Sequence, residues 1–184
     1  QIPVILLTDQ YLADSVRTVP FFDFDRLFKA QDVPEHKEGE KYLRYRVTPN
    51  GISPNLVPGK SNHVVCVDSD EHDEYGHITE SAQVREQMVK KRMRKLDGLK
   101  QELLEPDFIG AYDFDILLVG FGTTHGALKE TVEILNKQKQ NKYAALVFGD
   151  IYPLPLERLQ ECASREKKMI NVEQNATGQL ASLI

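Results

Sequence analysis

The chain has 184 residues (21.0 kDa), of which 41% are hydrophobic and 28% charged, and carries a formal net charge of −5. That composition suits one full globular domain with an appendage, able to bury about two thirds of its unfolded surface, and its acidic balance gives no general drive toward nucleic acid or an anionic membrane. No apolar run approaches the roughly 18 residues of a spanning helix and no signal segment opens the sequence, so we expect a cytoplasmic protein with neither a membrane span nor a nucleic-acid partner.

In chain order, Pro3-Val-Ile-Leu-Leu-Thr8 is a continuous apolar run, the pattern of a strand buried on both faces, and it needs a sheet around it that this chain need not itself supply. Residues 29–60 turn polar and gather Pro34, Gly39, Pro49, Gly51, Pro54, Pro58 and Gly59, which reads as a linker, partly ordered around Tyr42 to Val47. An alternation of strands and helices follows: a strand over 63–67; a long helix over 82–104, with Val84, Met88, Leu96, Leu99 and Leu103 on or near one face; a strand over 115–119; a helix over 124–140, with Leu128, Val132 and Leu135 inward; a strand over 143–148. Pro153 and Pro155 precede a short helix to about Ser164, a strand spans 168–173, and a terminal helix starts at Asn175, a good N-cap. The pattern predicts a three-layer α/β/α domain over 61–184, its strands in one mostly parallel sheet. Gln1 at the start and helical periodicity still running at Ile184 read as a piece of a longer polypeptide.

Few residues point to chemistry. Gly120-Phe-Gly-Thr-Thr-His-Gly126 is a glycine turn between strand and helix, where backbone N–H groups can meet an anion, but its G-x-G-x-x-x-G spacing misses the dinucleotide fingerprint and only Asp150 could serve as the ribose acid. His125 opens that helix, where the macrodipole disfavours its charged form, so a hydrogen-bonding or packing role is expected. Asp68-Ser-Asp-Glu-His-Asp-Glu74 with His77 carries metal-ligand types but lacks the spacing of a calcium loop; no metal is expected there. Lys90-Lys-Arg-Met-Arg-Lys95 shares its helix with Glu86, Asp97 and Glu102, which favours a mixed solvated or subunit-contacting face. Cys66 and Cys162, the only cysteines, read as two small buried thiols. Asp70, His72 and His77 on one loop, and Thr123, Thr124 and His125 on the glycine turn, are interface candidates facing a neighbouring domain or subunit. No catalytic, cofactor-binding or metal residue emerges.

Taken together, Pro3 to Ser15, Asp70-Glu-His-Asp-Glu-Tyr-Gly-His-Ile-Thr79, Met88 to Leu96, Gly120 to Gly126 and Asn171-Val-Glu-Gln-Asn-Ala-Thr-Gly-Gln-Leu180 resemble, in order and across nearly the whole chain, the alpha subunit of 2-oxoacid:ferredoxin oxidoreductases, closest to the 2-oxoglutarate type. The resemblance implies an enzyme that oxidatively decarboxylates a 2-oxoacid on thiamine diphosphate with Mg²⁺, passes electrons through iron–sulfur clusters to ferredoxin or flavodoxin, and releases an acyl-CoA, succinyl-CoA for 2-oxoglutarate. It implies that residues 1–28 are the tail of a pyrimidine-binding-type domain and that 61–184 is similar to the transketolase C-terminal domain. The family's Tyr-Pro-Ile-Thr-Pro substrate motif is expected upstream and does not occur here, so no catalytic residue is carried over; the cofactors and clusters fall to the other subunits or domains. The fragment alone is then expected to be inactive, mainly structural and subunit-contacting. Two further readings stay open: an independent nucleotide-binding α/β oxidoreductase domain, and a scaffold with no part in chemistry.

Overall fold

In the computed structural model residues 2–26, 36–37, 39–138, 142–165 and 168–184 are described. The expected linker over 29–35 and at 38, and the expected helix end at 139–140, lie outside them. The chain divides into two compact units, Gln1–Ile5 with Thr18–Gln101 and Leu6–Arg17 with Glu102–Ile184. The elements are α1 (Gln10–Asp14), a 3₁₀ turn (Phe24–Arg26), α2 (Ala82–Leu99), β1 (Asp107–Ile109), β2 (Ile116–Phe121), α3 (Thr124–Lys137), β3 (Tyr143–Phe148), α4 (Glu157–Ala163) and β4 (Lys168–Asn171).

The second unit is built on a four-stranded sheet of order β1-β3-β2-β4. β2 pairs in parallel with β3 and with β4, and β1 pairs antiparallel with β3. Because successive strand residues point to opposite faces, the unbroken apolar runs of β2 and β3 feed two cores at once. Leu117 and Val119 with Ala144, Leu146 and Phe148 meet Leu159 and Cys162 of α4 and Leu180 on one face. Leu118, Ala145 and Val147 meet Leu128 and Val132 of α3 on the other. Helices therefore cover both faces, giving the three α/β/α layers. Each fully buried Leu, Val or Phe contributes roughly 1.5–3 kcal/mol before entropy is counted.

The sheet differs from expectation in its membership. The run His63 to Val67 forms no strand, and Val64 stays 88% exposed. Its place as fourth strand is taken by β1, three residues between Pro106 and Gly110, too short for an alternation pattern to register. The apolar run 3–8 is also unladdered among the described residues, with Val4, Ile5 and Leu6 90%, 81% and 91% exposed; a strand buried on both faces needs flanking strands, and the described residues supply none. α2 stops at Leu99 instead of 104, because the chain must turn toward Pro106, where α-helical geometry is disfavoured for the preceding residue, and Glu105 is engaged by the Arg158 backbone N–H at 2.9 Å.

Beyond β4 the expected terminal helix is replaced by turns. Asn175 Oδ1 accepts from the backbone N–H of Thr177 and of Gln179, and Gly178 takes a positive φ of 64°, which an uninterrupted helix does not allow. The Glu173 carboxylate gathers this segment. Desolvation alone raises its pKa, but the N–H of Ala181, the Asn175 amide, the N–H of Leu180 and the Asn171 amide hold it down at about 2, against an ordinary 4.5. A carboxylate depressed on folding stabilises above its unfolded pKa and loses that contribution as pH falls through the folded value. Between pH 4.5 and about 2 the wild type should therefore lose more protection of the Leu180 and Ala181 amides in hydrogen exchange than Glu173→Gln does; parallel profiles would show that the carboxylate is not what orders the segment.

Candidate functional site

The sequence candidates fall in two places, one in each unit. In the first unit, the acidic run is a closed hairpin. Asp73 N–H donates to the His77 carbonyl and Thr79 N–H to the Glu71 carbonyl, both at 2.9 Å, with His72 and Ile78 bridged antiparallel. Asp73 Oδ1 accepts from the N–H groups of Tyr75, Gly76 and His77, an Asx-type turn in which Gly76 has φ 95°. Glu71 receives both guanidinium nitrogens of Arg92, at 3.0 and 2.7 Å, a bidentate pair that holds its pKa below the usual carboxylate range. Glu74 accepts from Val47 N–H at 2.7 Å. Three carboxylates that looked available for a metal are thus engaged within the fold, and among the described residues no three His, Cys, Asp or Glu side chains converge on a common point. Asp70 is exposed. The His72 ring is half-buried and stacks on Tyr45 with centres 3.6 Å apart, while exposed His77 stacks on Tyr75 at 5.9 Å.

The hairpin rests against α2, whose side chain Lys91 is 4% exposed. Its ammonium donates to the Tyr45 carbonyl at 2.8 Å and to the Ser53 hydroxyl at 2.5 Å, tying the 45–53 loop to the helix. Desolvation, then the positive charges of Lys95, Arg44 and Arg92 against the attraction of Glu74, pushes its pKa down from 10.5 to about 8. A base depressed on folding opposes folding while protonated, so stability should rise as pH climbs from about 8 to 10.5. Urea midpoints over that interval should climb more steeply for the wild type than for Lys91→Met. Equal slopes would assign the rise to other groups. Lys91 was hidden in the sequence inside a basic run; the signal that could have found it is its place three residues after buried Met88, on the inward stripe.

In the second unit the glycine turn joins β2 to α3. Gly120 is a packing requirement: a Cβ there would stand 2.6 Å from both Leu128 Cδ1 and Thr124 Oγ1. Thr124 is buried, its hydroxyl donating to the Phe121 carbonyl at 2.8 Å. Thr123, the N-cap of α3, donates its hydroxyl to the Asp9 carboxylate, and that bond, with the Leu12 N–H, lowers the Asp9 pKa. A carboxylate thus occupies the helix start, where a pyrophosphate would need positive potential, and this counts against the nucleotide-binding reading. His125 Nε2 lies 3.5 Å from the Asp107 carboxylate.

The cysteines present do not fit an all-cysteine iron–sulfur cluster. Cys162 is sealed in the core and the Cys66 thiol donates to the Gly76 carbonyl at 3.3 Å; an all-cysteine cluster needs four thiolates, and the chain has two cysteines.

No family model matches the chain. Over its whole length it is 34% identical to a 2-oxoacid:ferredoxin oxidoreductase subunit alpha of Aeropyrum pernix and 31% identical to one of Sulfurisphaera tokodaii, and it spans 29% of the length of each. The fold is similar to that of a 2-oxoglutarate:ferredoxin oxidoreductase from Magnetococcus marinus, solved with 2-oxoglutarate, coenzyme A and succinyl-CoA bound, at a TM-score of 0.72 and 27% identity, covering 82% of this chain and 26% of that one. By sequence along its full length and by fold, the chain is similar to 2-oxoacid:ferredoxin oxidoreductase alpha subunits and spans less than a third of the length of those relatives.

Proposed function

We propose that the chain serves as part of the alpha subunit of a cytoplasmic 2-oxoglutarate:ferredoxin, or flavodoxin, oxidoreductase, which oxidatively decarboxylates 2-oxoglutarate to succinyl-CoA. The observation that carries this reading is similarity over the entire chain to alpha subunits, supported by a structural neighbour solved with that 2-oxoacid and with succinyl-CoA. Thiamine diphosphate with Mg²⁺, the iron–sulfur clusters and CoA are then held by the rest of the enzyme; for the clusters, the two cysteines of this chain are too few for an all-cysteine site. The share of this chain is structural: the hairpin at Asp70, His72 and His77 and the turn at Thr123, Thr124 and His125 face other domains or subunits. The test is 2-oxoacid preference in the assembled enzyme. Viologen reduction with CoA should be fastest on 2-oxoglutarate; a preference for pyruvate would keep the family and remove the 2-oxoglutarate assignment.

A further inference from the structure

The segment before Asp9 carries every requirement of a strand and meets none of them here. In a strand, successive side chains point to opposite faces, so Val4 and Leu6 would serve one face and Ile5 and Leu7 the other; all four are exposed. Among the described residues no main-chain N–H or C=O of residues 4–7 pairs with another main-chain group. The next residue is committed: Asp9 accepts from the Leu12 N–H at 2.9 Å and from the Thr123 hydroxyl at the start of α3. β2 and β3 show the same apolar pattern satisfied, each paired along both edges and covered on both faces.

We propose that residues 4–7 form an interior strand of a sheet supplied by the rest of the same polypeptide, covered on both faces and paired along both edges. Three occupants compete for such a surface. A second copy pairing along one edge would leave the other edge unpaired, and a partner subunit adding a strand meets a sheet at its edge. Only neighbouring strands of one domain flank a strand on both sides and bury both of its apolar faces. The relatives match this chain along all of its length, these residues included, while the chain spans 29% of theirs, so a polypeptide of that length has ample chain to build the sheet. This inference rests on the alpha-subunit reading and not on the 2-oxoglutarate assignment.

Hydrogen exchange at the amides of residues 4–7 tests it in the 184-residue chain, the complete alpha subunit and the assembled enzyme. Exchange should be at least about 100-fold slower in the complete alpha subunit than in the 184-residue chain, with no further slowing on assembly; the Leu118 amide of β2 should be protected in all three. Ile5→Asp should leave Leu118 protection unchanged in the 184-residue chain, where Ile5 is exposed, and should strip protection from residues 4–7 in the complete subunit. Fast exchange there in the wild-type complete subunit would overturn the proposal. So would protection that appears only when partner subunits are added, or that grows with concentration of the 184-residue chain as a second copy requires. Viologen reduction on 2-oxoglutarate by the same assembled enzyme reads the functional assignment separately: an active enzyme with fast exchange at residues 4–7 would remove the strand and keep the function.

Discussion

Phe148→Ala is expected to destabilise the second unit by about 3–5 kcal/mol, the range for emptying a well-packed aromatic site. Phe148 is 1% exposed, ends the interior strand β3 and packs in the core shared with α4 and Leu180. Because β3 is paired on both sides, by β1 and by β2, the cavity cannot be closed by shifting an edge strand. Against a typical total of about 5–15 kcal/mol, such a loss approaches unfolding, and urea denaturation should show a large fall in midpoint. Phe21→Ala removes the same side chain from a position 103% exposed and should change stability by no more than about 0.5 kcal/mol. Comparable shifts for both, though Phe21 lies in the first unit and Phe148 in the second, would mean that burial does not govern the cost of losing a phenylalanine here.

Gly76→Ala should break the hairpin of the first unit. A Cβ at this position would stand 2.1 Å from the Cys66 carbonyl oxygen and 2.9 Å from its carbon, both backbone atoms that cannot swing aside, and φ is 95°. The dihedral alone costs about 1–3 kcal/mol, and the collision adds to it. The Tyr45–His72 stack should loosen in consequence, seen as loss of the ring-current shifts of His72. Gly126→Ala meets nothing within 4 Å and should leave the fold unchanged. Retention of the stack in Gly76→Ala would show that the Cys66 segment can retreat.

The α/β architecture was legible because its core strands carry the signal in their own residues. Ile116 to Val119 and Tyr143 to Phe148 are apolar on both faces, which only a sheet covered on both sides requires. The same rule misread Val64 to Val67, and Pro3 to Thr8 meets no sheet among the described residues: an apolar run states what a segment needs, and not whether a neighbour is present to meet the need. β1 escaped notice because a three-residue edge strand owes its existence to β3. The candidate loops were located correctly as loops, but the internal use of Glu71, Asp73 and Glu74 depends on Arg92, on the hairpin's own N–H groups and on Val47, and residues as far apart as Glu71 and Arg92 or Glu74 and Val47 are brought together only by folding. Lys91 was obscured for a related reason, since its partners Tyr45 and Ser53 are about 40 residues away (46 and 38).

The most direct test of the functional reading is 2-oxoglutarate- and CoA-dependent reduction of a viologen dye, with thiamine diphosphate and Mg²⁺ added, comparing the 184-residue chain with the assembled enzyme. The chain has two cysteines, too few for the cluster relay that electron transfer requires. No turnover above background is expected from the chain alone, and turnover is expected once a complete alpha subunit and its partner subunits are supplied. Sustained turnover by the chain itself, from a preparation shown to be free of other subunits, would contradict this.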